Sequence, residues 1–400
     1  MSEQPSGPLA GMRVLDLTTM ISGGFANVMF ADFGADVVAV EHPEYSDPVR
    51  DWVPRSAGQS LYWKNLGRNK RHVTLDLSTE DGQRIALELA ADADVVVENF
   101  RPGTLERWNL DYETLSAAND GLVMVRLSGF GQTGPQSARP GFGTIAEAMS
   151  TFVSINGYED GGPLLPPIPI ADLTAASFAV QGAMFALWAR EVNGAPGQVV
   201  DVSLFEPLFR YMIGDVEAYD TEGVVPERTG NKSNQAAPRD LYEAEDGYVA
   251  LSASSQNIFE NVMEAIGHAD LVDDPRFRTN DARMDNREEL DRIIEEWTAE
   301  RSREEVLETM RAGDAVVGPV YDIADIFEDE QYRARGDLLE VEDDDLGTIR
   351  TQGVVPKFSE TPGSVEHLGG EPGAHNEDVY REELGLSEAE YERLREEGVI

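Results

Sequence analysis

Met12-Arg13-Val14-Leu15-Asp16-Leu17, a turn at Gly23-Gly24, a helix from Phe25 to Phe33, then Asp36-Val37-Val38-Ala39-Val40-Glu41: this opening stretch decides the fold class. Two short apolar runs, each too short for a helix, flank one helical segment. Strand, helix, strand in that order is the unit of a parallel sheet, because parallel neighbours need a long crossover. The pattern repeats. His72–Leu77 reads as a strand, Thr79–Ala91 as a helix, Asp94–Glu98 and Leu122–Leu127 as further strands. Such alternation predicts a doubly wound α/β sheet with right-handed crossovers. Ligands of such sheets bind beyond the carboxyl ends of the strands. Glu41-His42, Glu98-Asn99-Phe100 and Ser128-Gly129-Phe130 fall at those ends.

Further along, Pro166-Pro167-Ile168-Pro169-Ile170 cannot be helical and predicts an extended strand. Ala171-Asp172-Leu173 then opens a long apolar helix, Thr174 to Arg190. Asp172 is thereby placed at a helix N-terminus, where free N–H groups and the macrodipole favour its ionised form. A fixed carboxylate there can act as a nucleophile in acyl transfer, although most Asp residues in that position only cap. Val199–Ser203 returns as a strand. Residues 219–239 are polar and rich in Gly, Pro and Asn, as a linker or crossing segment is. A smaller unit follows: a hairpin over Leu241–Ser252 around Asp246-Gly247, helices near 256–267, 286–299 and 302–312, and a strand at Val317–Tyr321. Short strands near 337–342 and 347–351 and a helix near 387–396 close the chain. The expected division is a large Rossmann-like domain from 1–218, a small inserted α+β domain with its crossing linker over 219–330, and a return to the large domain over 331–400.

Composition narrows the function classes. The formal net charge is −43, from 75 acidic and 32 basic residues. Only four of the basic residues are lysines (Lys64, Lys70, Lys232 and Lys357), so 28 are arginines. Many acids with almost no lysine is the composition of a halophilic protein. In molar salt the screening length shrinks to about 3 Å, which relieves self-repulsion. Such a surface argues against nucleic acid and anionic membranes as partners. There is no cysteine, which excludes disulfides, zinc–thiolate sites and iron–sulfur clusters. His42, His72, His268, His367 and His375 lack metal-ligand spacing, so no metal site is expected. The first residues show neither a basic nor an apolar signal-peptide region, and a cytoplasmic location is expected. The first strand–turn–helix lacks the G-x-G-x-x-G fingerprint, so a nicotinamide or flavin site is not expected.

Several blocks together carry a resemblance. They are Pro8–Leu17, Ala31–Val38, Arg68-Asn69-Lys70-Arg71, Val97–Gly103, Ser128–Pro135, Arg139-Pro140-Gly141-Phe142, Asp273–Phe277 and Gly318-Pro319-Val320. In order and spacing the chain resembles the family III CoA-transferases, the CaiB/BaiF or formyl-CoA transferase group, over essentially its whole length. The resemblance implies an interlocked homodimer of Rossmann-like chains. It also implies that Asp172 is the nucleophile, and that CoA is a substrate with no metal or redox cofactor needed. The partners implied are an acyl-CoA and a carboxylic acid. By position in the family pattern, His42, Leu75, Asn99 and Phe100 would lie near the adenine and Arg107 near the phosphates. His42 and Ser78 stand where formyl-CoA transferases have arginine and lysine. Arg71, Arg101 and Arg139 are the candidates to replace that charge. Arg50 or Arg71 would hold a distal substrate carboxylate.

Two other readings belong beside transfer. A 2-methylacyl-CoA racemase of the same family would need a second acid/base group. Phe142 stands where the racemases have a histidine, and a phenyl ring moves no proton. A non-catalytic CoA- or nucleotide-binding regulator would not need Asp172. Within transfer, the halophilic composition favours succinyl-CoA as donor and a small dicarboxylate such as mesaconate as acceptor.

Overall fold

A computed structural model describes residues 7–400. The chain divides into two compact units. One contains the chain up to Val153, Leu165–Gly223 and Tyr332–Ile400; the other contains Ser154–Leu164 and Val224–Gln331.

The first unit is built on six parallel strands: β1 Arg13–Asp16, β2 Asp36–Glu41, β3 Arg71–Thr74, β4 Val95–Glu98, β5 Val123–Ser128 and β6 Val199–Ser203. Their order in the sheet is β3-β2-β1-β4-β5-β6, the doubly wound arrangement expected. Val14 pairs in register with Val37 on one side and Val95 on the other. Alternate residues of each strand serve opposite faces. Val14, Val37, Val95, Val97, Val123 and Val125 face helices α1 (Met20–Asp32) and α4 (Ile170–Asn193). Leu15, Val38, Val73, Val96 and Met124 face helix α2 (Glu80–Ala91) and the C-terminal segment with Tyr380, Leu394 and Ile400. Both faces are covered, which is why the strands read as continuous apolar runs.

Helix α1 starts five residues before the expected Phe25, so Gly23 and Gly24 lie inside it rather than in a turn. The reason is close packing: a Cβ on Gly23 would stand 2.1 Å from the Thr18 Cβ. The predicted strand over Pro166–Ile170 is absent. Pro169 precedes the first turn of α4 and Ile170 is its first residue, a position that needs no N–H donor from the residue before it. By length and composition α4 is apolar enough to cross a membrane. In this unit its stripe of Ala171, Ala175, Ala179, Ala183 and Ala186 is buried against the sheet.

The open edge at β3 is closed by the segment around His375 and Tyr380 rather than by another strand. His72 N–H donates to His375 Nδ1 at 3.0 Å, Thr74 N–H to Asn376 Oδ1 at 2.9 Å, and the Tyr380 hydroxyl to the Thr74 carbonyl at 2.8 Å. An uncovered parallel edge would otherwise be a pairing template. The hairpin β10 (Leu338–Asp343) and β11 (Gly347–Gln352) also belongs to this unit.

The second unit has its own core. The antiparallel strands β7 (Arg239–Ala244), β8 (Gly247–Ser252) and β9 (Val317–Pro319) form a sheet in the order β9-β8-β7. Helices α5 (Gln256–Ala265), α6 (Arg287–Thr298) and α7 (Arg303–Ala312) bury Phe259, Val262, Leu290, Ile294, Val306 and Met310 with Val249 and Leu251. These helices fall close to the expected ranges near 256–267, 286–299 and 302–312.

Candidate active site

Connection lengths place the site. Helix α4 ends at Asn193 and β6 begins at Val199, so the C-terminus of α4 lies at the amino edge of the sheet. The 24-residue helix runs back antiparallel to the strands for about 36 Å. Its first turn, with Asp172, is therefore carried toward the carboxyl edge, where ligands of such sheets bind.

Asp172 is the third residue of α4, not its cap. Helix α3 (Gly143–Met149) packs on this turn, and two of its residues, four apart on one face, meet it differently. Gly143 comes against the carboxylate: a Cβ there would lie 2.0 Å from Asp172 Oδ2. Glu147 is buried and its Oε1 accepts from the Ala171 N–H at 3.4 Å. Burial lifts the Asp172 carboxyl from 3.8 to about 6, and the charge of Glu147 adds to the rise. The sequence suggested that the helix N-terminus would favour ionisation. The opposite holds, because loss of water and a like charge outweigh the helix field. A carboxylate of that basicity is still ionised at neutral pH and is a better nucleophile than an ordinary aspartate.

The loop between β5 and α3 crosses itself where Gly129 and Gly141 touch; a Cβ on Gly129 would meet Gly141 Cα at 2.8 Å. That closure seats Phe142 directly before Gly143, with its ring exposed. Arg139, on the same loop, is exposed, hydrogen-bonds Gln136 and lies over the Phe130 ring.

Most of the other expected residues follow the carboxyl ends of strands. His42 follows β2; its Nδ1 accepts from Glu44 and Tyr45 N–H at 3.1 and 3.3 Å, and its ring lies 4.9 Å from that of Tyr45. Asn99 follows β4 and clamps the end of β1, its Oδ1 accepting from Thr19 N–H at 3.0 Å and its Nδ2 donating to Thr19 O at 2.7 Å. Phe100 is half-buried with its ring edge-on to Trp108. Arg101 is exposed and its side chain has no partner among the described residues. Arg107 is exposed and donates to Gly103 O and Thr104 Oγ1. Leu75 follows β3, but its side chain is sealed in the core.

Two arginines are placed otherwise than the sequence suggested. Arg71 begins β3, at the amino edge of the sheet, where Asp36 and Glu383 occupy its guanidinium. Its block is a structural staple throughout: Arg68 and Asn69 bind Asp32, and Lys70 binds Asp16 and Gly24 O. Arg50 is bound in a bidentate pair to buried Glu41, donates to Gly370 O, and lies 3.7 Å from the Trp63 ring centre. Neither guanidinium is open to a substrate carboxylate without breaking an ion pair.

Sequence reasoning missed Gly143 and Glu147. The signal was the block Arg139–Phe142, which stops one residue short of Gly143. Among the described residues no group of three or more His, Asp or Glu side chains is arranged to hold a metal.

Comparison with known proteins places the whole chain in a family. The profile of CoA-transferase family III matches residues 9–376. The chain is 40% identical over 401 residues to a succinyl-CoA–D-citramalate CoA-transferase of Chloroflexus aurantiacus, covering the full length of both. It is 39% identical to the beta subunit of a succinyl-CoA–L-malate CoA-transferase from the same organism, over 98% of each chain. The crystal structure of a CaiB/BaiF family protein from Brucella suis superposes with a TM-score of 0.84 at 30% identity, over 94% of this chain and 99% of that one. The chain therefore belongs to CoA-transferase family III.

Proposed function

We propose that this transferase moves CoA from succinyl-CoA to a small dicarboxylic acid, with Asp172 as the nucleophile. The observation that carries this reading is the basic, half-buried carboxylate of Asp172 lodged against Gly143. In the first step the carboxylate attacks the thioester carbonyl, giving a succinyl–aspartyl anhydride and CoA thiolate. The thiolate then attacks the aspartyl carbonyl, which releases succinate and leaves an aspartyl–CoA thioester. The acceptor carboxylate displaces CoA thiolate to form a second anhydride. Attack of the thiolate on the acceptor carbonyl then yields the new acyl-CoA and restores Asp172. Each step passes through a tetrahedral oxyanion that preorganised N–H donors stabilise. The chemistry needs no metal or redox cofactor; CoA is substrate.

The acceptor class rests on the D-citramalate and L-malate transferases to which the chain is similar. Mesaconate shares the carbon skeleton of citramalate and is our first choice. Racemisation is disfavoured by Phe142, which offers no acid or base beside the site. His42, Asn99, Phe100, Arg101, Arg107 and Arg139 are proposed to receive CoA along the carboxyl edge, with Arg71 left out. We further propose a halophilic, cytoplasmic enzyme working as a homodimer of interlocked chains. Phe185, Trp188 and Val192 on α4, with Ile213 and Tyr219 beyond it, are largely exposed in one chain, and such apolar surface marks an interface. Chromatography of products from succinyl-CoA with mesaconate, citramalate, malate, glutarate and formate tests the proposal. A dicarboxylyl-CoA should form. Solvent deuterium entering a 2-methylacyl-CoA without transfer would replace this reading with racemisation.

A further inference from the structure

We infer that Glu147 is a positioning residue for the transfer reaction: it fixes the first turn of α4 and sets a second carboxyl group beside Asp172. The inference rests on the reading that Asp172 is the nucleophile.

Glu147 is only 3% exposed. Burying a carboxylate is costly unless a cation or several donors compensate it. Among the described residues no cation pairs with Glu147, and its side chain accepts one long contact, from the Ala171 N–H. As a cap for one N–H, a neutral amide would serve as well and cost less. The charge is therefore what distinguishes Glu147 from a simple helix stop. Its place is specific too. Gly143 and Glu147 lie one turn apart on α3: the first position is emptied so that the Asp172 carboxylate can enter, and the second is filled by an acid reaching the residue before Asp172.

The consequence is electrostatic. Asp172 carries charge as a free carboxylate and none as an anhydride or thioester. A neighbouring negative charge destabilises the free state and leaves the acylated state untouched, so it drives attack on the thioester. Other charged groups on elements packed against α4 are engaged elsewhere. Asp32 of α1 binds Arg68, Arg126 of β5 binds Glu98 and Glu106, and Asp201 of β6 accepts from Gln132 N–H. Glu206 after β6 accepts from Ser203, and Arg190 at the far end of α4 binds Asp94.

The test follows the aspartyl–CoA adduct formed from succinyl-CoA across a pH series, in wild type, Glu147→Gln and Glu147→Asp. Glu147→Gln keeps an acceptor for Ala171 and removes the charge; Glu147→Asp keeps the charge. The expected result is an acid limb displaced to lower pH and an adduct level several-fold lower in Glu147→Gln, with the wild-type limb largely retained in Glu147→Asp. A wild-type limb and level in Glu147→Gln would overturn the inference while leaving the nucleophile in place. No adduct in wild type would remove the nucleophile reading, and this inference with it.

Discussion

Gly143 and Asp172 are in contact: the carboxylate Oδ2 occupies the space a Cβ on Gly143 would take, at 2.0 Å. The backbone of Gly143 is not in the left-handed region, so alanine there meets no torsional penalty, and alanine favours a helix. The nearest atoms it would meet all belong to Asp172, the proposed nucleophile. Gly143→Ala should fold with an unchanged circular dichroism spectrum and lose about 100-fold or more in kcat, the cost of moving a reacting group by about 1 Å. Wild-type turnover in this variant would show that the contact is irrelevant to catalysis.

The pH dependence follows from Asp172. With its carboxyl near 6, kcat/KM for the acyl-CoA donor should be half-maximal near pH 6 and fall about tenfold per unit below it. The stability effect has the opposite sense. The folded carboxyl holds its proton more tightly than the unfolded one, so its contribution is full below about 3.8 and lost as pH rises through about 6. At pH 8 Asp172→Asn should therefore be inactive yet more stable. After discounting for its partial exposure, the gain is on the order of 1–2 kcal/mol, and thermal melts at pH 8 and pH 4 should show it at the first and not the second.

Arg50 and Arg101 should behave as opposites. Removing Arg50 leaves Glu41 buried without its cation, so Arg50→Ala should cost about 3–5 kcal/mol in denaturant titration. Arg101 is free and exposed, so Arg101→Ala should leave stability within about 0.5 kcal/mol while raising KM for CoA esters. An Arg101→Ala enzyme with unchanged KM would remove it from the CoA site.

The surface charge makes a prediction about salt. With a net charge of −43, self-repulsion is large in dilute buffer and screened within about 3 Å at 1 M. The melting temperature should climb steadily between 0.1 and about 3 M KCl by the same screening argument. A flat or falling curve would refute the halophilic reading.

The strand pattern was legible because both faces of the sheet are covered. Each strand is then an apolar run bounded by polar turns, and β2 and β6 fall where Asp36–Glu41 and Val199–Ser203 predicted them. Asp172 was legible as a residue but not in its electrostatics, since Glu147 lies 25 positions away and meets it only through packing. Gly23 and Gly24 read as a turn because the close approach of Thr18 to Gly23, which demands glycine there inside a helix, shows only in the folded chain. Arg71 and Arg50 read as free guanidiniums because their acids, Glu383 and Glu41, are brought to them by the fold.

The most direct test is peptide mass spectrometry of the wild-type enzyme in high KCl after incubation with succinyl-CoA, beside Asp172→Ala. A CoA thioester on the peptide containing Asp172, absent from the variant and discharged by mesaconate or citramalate, is the predicted result. An enzyme that binds and turns over succinyl-CoA with no adduct on that peptide, or with the same adduct in Asp172→Ala, would contradict the account.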